Sequence, residues 1–317
     1  MTTALALLVG ALVAGWLVPR QLSRADLRRL DPAPVIVSWL LSIAGFLLAG
    51  AVGVALLLIP DHGTPGGLAA AMHQCWIAVQ HGSLPRLEEL GGVLGLGLLI
   101  SGLVRFTVVG VIEFRQRLHA RREQVAVLRL AARTDEHAPS TLWLAHDRPL
   151  AFSIAGRPGV VVATDGLRRC LSADGVAAVL AHEQAHLRGR HHLLVAIVEV
   201  LGKTLPFVPL FRQAPGAMRE LVELAADVEA VRRHGNAAVR SALLGVTGTG
   251  APHGALAMAR DAVSVRLEHL RLCGRPPRRV GRTLSCGFAG IGAAALPFLT
   301  GASLLLAAAV VGCSGLL

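Results

Sequence analysis

The sequence predicts a mostly α-helical membrane protein, with four transmembrane helices and one polar domain inserted between the third and the fourth. Composition is the first reason. The 317 residues are 53% hydrophobic and only 16% charged, with a mean hydropathy of +0.58, whereas a soluble domain carries about a quarter charged residues. The second reason is pattern. The apolar residues are gathered into long runs, and the basic residues at 20–29, 105–133, 148–169 and 260–282 mostly flank those runs.

Crossing a hydrocarbon core of ~30 Å takes about 20 apolar residues in a helix. Residues 2–18 form a first span, closed by Pro19 and Arg20. It has neither a basic leader nor a small-residue cleavage site, so it is expected to be retained as a helix. Residues 35–59 form a second span, entered through Asp31-Pro-Ala-Pro and left through Pro60-Asp61. Residues 90–112 form a third, whose Gly91, Gly92, Gly95, Gly97 and Gly102 suit close helix packing. Residues 283–311 form a fourth, long enough to tilt and kinked at Pro297. The chain thus divides into a three-span region (1–112), a polar domain (113–282) and a fourth span with a short outer tail (283–317). Arg105 lies within span three, where a charge either snorkels to the interface or makes a functional polar contact.

Loop charges set the orientation. Arg20, Arg24, Arg28 and Arg29 follow span one, Arg115, Arg117, Arg121 and Arg122 follow span three, and Arg275, Arg278, Arg279 and Arg282 precede span four. Loop 60–89 holds Arg86 against Asp61, Glu88 and Glu89. The positive-inside rule places 113–282 in the cytoplasm and both termini outside, in a multi-pass protein of a bacterial inner (plasma) membrane. The formal net charge of +11 therefore points to the lipid bilayer as partner and not to direct nucleic-acid binding. Five cysteines, at 75, 170, 273, 286 and 313, show no C-x-x-C spacing. Neither a thiolate zinc site nor a disulfide framework is signalled.

The chemistry sits in His182-Glu183-Gln184-Ala185-His186, an H-E-x-x-H pattern. Ser172 as N-cap, Asp174 in the first turn and the spacing of Val176, Val179 and Leu180 predict a helix through it. Positions i and i+4 share a helix face, so both imidazoles can reach one ion, and Glu183 can point into the same cleft and take a proton from an attacking water. A catalytic zinc needs a third protein ligand and an open position. Glu223, in Glu223-Leu-Ala-Ala-Asp227, can supply it from a second helix, expected between Pro215-Gly216 and His234-Gly235. Asp227, one turn on, can orient a ligand histidine through its free ring nitrogen. Otherwise these carboxylates form a solvated acidic face with Glu220 and Glu229.

His182 through His192, together with Glu223-x-x-x-Asp227, resembles the integral-membrane gluzincins: the BlaR/MecR antirepressor peptidases and the related HtpX-like and CAAX prenyl proteases. Arg157-Pro-Gly-Val-Val-Val-Ala-Thr-Asp-Gly-Leu167 resembles their strand-then-turn lead-in, and the order of spans is most similar to the BlaR/MecR type. The resemblance implies an α+β zinc peptidase domain, with His182, His186 and Glu223 as Zn2+ ligands, Glu183 as catalytic base and Asp227 behind a ligand. BlaR/MecR receptors carry a penicillin-binding sensor domain after the fourth span, which this sequence is expected to lack.

The leading expectation is regulated cleavage of a cytoplasmic protein, by analogy a winged-helix transcriptional repressor, in signal transduction. The alternatives are an HtpX-like quality-control protease and a non-catalytic zinc-containing membrane receptor, the latter disfavoured by the intact Glu183. An oxyanion donor is sought in 232–269, with Arg232, His253 and Arg260 as candidates; the chain has no Tyr. Val160-Val161-Val162 reads as a core strand or a substrate-docking edge. His191 and His192 read as surface residues or auxiliary metal contacts, and His234 as a helix-end cation. Loop 60–89 holds His62, His73, Cys75 and His81, which pack an outer hairpin or bind copper or zinc.

Overall fold

The computed structural model describes residues 2–24, 26, 28–58, 87–134, 140–156, 158–247 and 256–272, and of the C-terminal stretch 284, 287–288, 291–303 and 306. Most of loop 60–89, with its histidines and Cys75, lies outside the described residues, as do His253 and part of the fourth apolar run.

The protein is mostly helical. Helices α1 (Thr2–Ser23), α2 (Pro32–Leu58) and α3 (Leu87–Ala131) are each long and apolar enough over part of their length to cross a membrane. The shorter apolar helix Ile291–Ser303 (α9 in chain order) falls within the fourth run. It packs against α1 and α2 through small residues. A Cβ on Gly10 would lie 2.6 Å from the Gly301 nitrogen, and one on Gly45 would lie 2.6 Å from the Ala294 carbonyl. Thr300 Oγ1 also donates to the Gly10 carbonyl at 3.0 Å. Of the glycines expected to pack tightly in span three, Gly92 and Gly95 meet α2, while a Cβ on Gly91, Gly97 or Gly102 would meet nothing within 4 Å among the described residues.

The third apolar run ends at Ile112 but its helix does not. Residues 113–131 contain neither Gly nor Pro and are rich in Arg, Glu, Gln and Leu, so the backbone continues in the same conformation to Ala131. At about 1.5 Å per residue the 45-residue helix is ~67 Å long, roughly twice the hydrocarbon core. Its far end covers one face of a four-stranded sheet, where Val125 and Leu128 pack on Leu142, Ile154, Val160 and Val162.

The sheet comprises β1 (Arg133–Thr134), β2 (Thr141–Leu144), β3 (Ala151–Ile154) and β4 (Val160–Thr164) in the order β1-β2-β4-β3. β2 and β4 run parallel, with Leu142 opposite Val162, and β3 pairs antiparallel to β4, with Phe152 opposite Val162. β4 is therefore the buried central strand, which settles Val160-Val161-Val162 as core. The edge is β3. After β4 come the short α4 (Asp165–Cys170), then α5 (Ala173–Arg188), α6 (His191–Thr204), α7 (Pro209–Thr247) and α8 (Leu256–Leu272). Val176, Val179 and Leu180 of α5 pack with Trp143, Ala163 and Leu167 on the second face of the sheet.

Helix α7 begins earlier than Pro215-Gly216 suggests, because Pro215 is accommodated inside it. Gly235, at φ 80° and ψ 160°, breaks it into two arms, in a backbone region that is essentially confined to glycine. The start of α7 and the end of α6 lie among the membrane helices. Val198, Val208, Leu210, Phe211, Met218 and Leu221 share one core with Ala14, Val18, Val35, Trp39 and Ile43, and the Phe46 and Phe211 rings meet edge-on at 5.2 Å. Arg105 makes a polar contact here: its guanidinium donates to the Lys203 carbonyl in the last turn of α6, at 3.1 Å. Just beyond, Glu113 pairs with Lys203 and Arg117, and Glu199 pairs with Arg117 and Arg219. These pairs tie α3, α6 and α7 together.

Candidate metal centre

Helix α5 starts where Ser172 Oγ accepts the Gly175 N–H at 3.2 Å, meeting one of the donors a helix N-terminus leaves unpaired. From that start the i,i+4 spacing puts His182 and His186 on one buried face, turned toward α7. Glu223 arrives from the first arm of α7. The three donor residues converge in a triangle: His182 Nε2 lies 3.2 Å from His186 Nε2, and the Glu223 carboxylate faces both, its Oε2 3.5 Å from His182 Nε2 and its Oε1 3.4 Å from His186 Nε2, with one donor atom of each residue within 4.8 Å of the others. A tetrahedral ion about 2.0–2.1 Å from each donor requires edges of about 3.3 Å. The group is thus sized for a metal ion such as zinc, and it is the one His/Cys/Asp/Glu cluster of that size among the described residues.

Asp227 stands one turn beyond Glu223 and is almost wholly buried. Its Oδ1 lies 2.9 Å from His182 Nδ1, which directs Nε2 to the triangle. Burial disfavours charge on His182, yet Asp227 and Glu223 outweigh it and raise the metal-free pKa to about 9. His186 goes the other way: burial, reinforced by the charge on His182, holds it down to about 3. Burial pushes Asp227 and Glu223 up, but Arg266 and His182 prevail and keep both carboxylates well below their ordinary values.

Arg266, from α8, was not among the residues that the sequence singled out. Its Nε and Nη2 each lie 2.7 Å from an Asp227 oxygen, and its Nη1 is 3.3 Å from Glu223 Oε2. One guanidinium fork therefore fixes the carboxylate behind His182 and leans on the third donor. The sequence signal was indirect: a buried carboxylate behind a histidine needs a countercharge, and 232–269 supplies several arginines. Of the three named there, Arg232 pairs with Glu229 at 3.7 Å, His253 is outside the described residues, and nothing is described of the Arg260 side chain.

His191 and His192 are placed by the turn between α5 and α6. His191 is half-buried, and its Nδ1 lies 3.0 Å from His186 Nδ1. His192 is exposed, with Nε2 3.3 Å from Ser153 Oγ on β3. His234 lies beside the Gly235 break, as a helix-end residue should.

Two cavities meet at the triangle. The larger, about 2120 Å³, runs between the C-terminal half of α3, strand β3, α5 and α6, and Phe114, Leu118, Phe152 and Val195 contribute to its apolar wall. The smaller, about 210 Å³, lies behind and is walled by Ala178, Val179, Val239, Leu243 and Val246. His182, Glu183 and Glu223 line both. Burial raises the pKa of Glu183, with the His182 charge opposing, and this moves a carboxylate toward the range in which a base works near neutrality.

Comparison with known proteins agrees with this geometry. Residues 115–245, which hold all three donors and Glu183, match Peptidase family M48. A protease HtpX homolog of Salinibacter ruber is 29% identical over 122 residues, 38% of this chain and 44% of that protein. Another, of Gemmatimonas aurantiaca, is 36% identical over 75 residues, 23% of this chain and 27% of that one. The chain spans less than half the length of either curated relative. No solved structure matches it. The chain is thus similar over residues 115–245 to Peptidase family M48 and over shorter stretches to proteins named protease HtpX homolog, and it has three helices long and apolar enough to cross a membrane among the described residues.

Proposed function

We propose that the protein is a membrane-embedded zinc endopeptidase in which His182, His186 and Glu223 hold the metal and Glu183 is the catalytic base. The observation that carries this is the donor triangle, open to a long cleft beside an edge strand and flanked by a buried carboxylate. When bound, the metal supplies Lewis acidity for the scissile carbonyl and for water. Glu183 accepts a proton from the attacking water and returns it to the leaving amine. An extended substrate adds as a further strand along β3, with main-chain hydrogen bonds giving register. A small aliphatic side chain next to the scissile bond fits the 210 Å³ pocket.

The physiological role that the resemblance favours is regulated cleavage of a cytoplasmic repressor, with 113–282 facing the cytoplasm. The relatives' names favour a second reading, a broader HtpX-like protease, which the same centre serves equally well. The enzyme reading is tested with full-length protein in detergent, by zinc content and by cleavage of an unfolded protein substrate. Glu183→Gln should keep about one zinc per chain and lose at least about 10²-fold in cleavage. Undiminished cleavage in that variant, or wild-type protein that takes up no metal, would remove the basis for the assignment. Cysteine labelling from outside cells should reach 60–89 and spare 115–280; external labelling near residue 186 would rule out a cytoplasmic repressor.

A further inference from the structure

The two histidine donors are backed differently. Behind His182 stands a carboxylate; behind His186 stands another imidazole. With His186 Nε2 in the donor triangle, its proton must sit on Nδ1. That N–H points at His191 Nδ1, 3.0 Å away. Two ring nitrogens at hydrogen-bond distance cannot both carry protons, so His191 must present a lone pair at Nδ1 and keep its own proton on Nε2. The two rings are 90° apart with centroids at 4.9 Å. The position also excludes direct ligation. His191 lies on the Nδ1 side of His186, away from the triangle, and it is not part of the donor group.

Local structure is arranged around this contact. Gly189 ends α5 and Arg190 turns the chain at φ 50°, the one non-glycine residue with positive φ among those described. A side chain on Gly189 would put its Cβ 2.3 Å from His191 Nε2. The missing Cβ and the left-handed turn together let the first residue of α6 fold its ring back against the second motif histidine.

We infer that His191 is a positioning residue of the metal centre: its Nδ1 accepts the His186 Nδ1–H and so fixes the tautomer and ring orientation of that donor. The inference rests on the zinc-centre reading above. Its test is zinc affinity, measured by chelator competition on full-length protein in detergent. Asparagine carries its side-chain oxygen where histidine carries Nδ1, whereas glutamine carries its oxygen one bond further out. His191→Asn should therefore stay within about threefold of wild type, while His191→Gln and the ring-sized His191→Phe should lose about 10- to 100-fold. Wild-type affinity in the Gln and Phe variants would overturn the role, as would an Asn variant as weak as Phe. Should Phe fail to fold, the Asn and Gln pair decides alone. Wild-type protein without zinc affinity would overturn the centre itself, an outcome distinct from equal affinity across the series.

Discussion

Replacing Arg266 with Met should destabilise the metal-free protein more than any other single change at the centre. The perturbation removes two 2.7 Å charged contacts from Asp227, whose side chain is 1% exposed, and a third at 3.3 Å from Glu223. Hydrogen bonds to charged groups contribute about 1.5–3 kcal/mol each, and stripping one partner from a buried ion pair costs about 3–5 kcal/mol. His182 remains 2.9 Å from Asp227 and stays protonated below about pH 9 without metal, so the low end applies, about 3 kcal/mol. For a chain of 317 residues, unfolding with about 2.1 cal/mol/K per residue, that is roughly 4–5 °C in apparent melting temperature. The assay is thermal unfolding in detergent after chelation, on Arg266→Met, Asp227→Asn and the double variant. The double variant should recover part of the loss, because Asn leaves no buried charge to compensate. A loss below about 1 kcal/mol, or strict additivity of the two changes, would refute the reasoning.

Zinc affinity should depend on pH through His182. Its metal-free pKa is raised to about 9 and a donor imidazole must be neutral, so each zinc bound displaces one proton below that pH. Apparent affinity should climb about tenfold per pH unit up to about pH 9 and flatten above it, as read by chelator competition. Gly235→Ala, which has space for its Cβ but the wrong backbone region, should cost about 1–3 kcal/mol in unfolding experiments. Gly45→Leu, driven into the Ala294 backbone, should lower the melting temperature in detergent, while Gly50→Leu, with nothing within 4 Å, should leave it near wild type.

What the sequence showed of the centre was local. The Ser172 cap, the i,i+4 histidines and the Gly235 break are each written within a few consecutive residues, and the structure brings His182, His186 and Glu223 together from such positions. Arg266 was not legible because its partner lies 39 positions away and several arginines in that stretch look alike before folding. His191 was underread because its direction depends on Arg190 adopting a left-handed turn beside a glycine that would have been the expected place for it. The long α3 was missed for another reason: an apolar run marks where lipid ends, whereas helix propensity decides where a helix ends. The apolar stretch 205–211 was too short to count as a span, and only tertiary structure shows it seated against α1 and α2.

That seating makes α7 a lever. Phe211 is gripped at 5.2 Å by Phe46 of a membrane helix, and Glu223 stands twelve residues further along the same unbroken arm, about 18 Å away. A tilt of about 5° at the gripped end would carry the Glu223 carboxylate about 1.6 Å. Metal geometry tolerates only about 0.2 Å. A tilt of α2 passed to α7 would therefore reach the centre directly, and the donor geometry would survive it only where α5, packed along the same arm, moved with it.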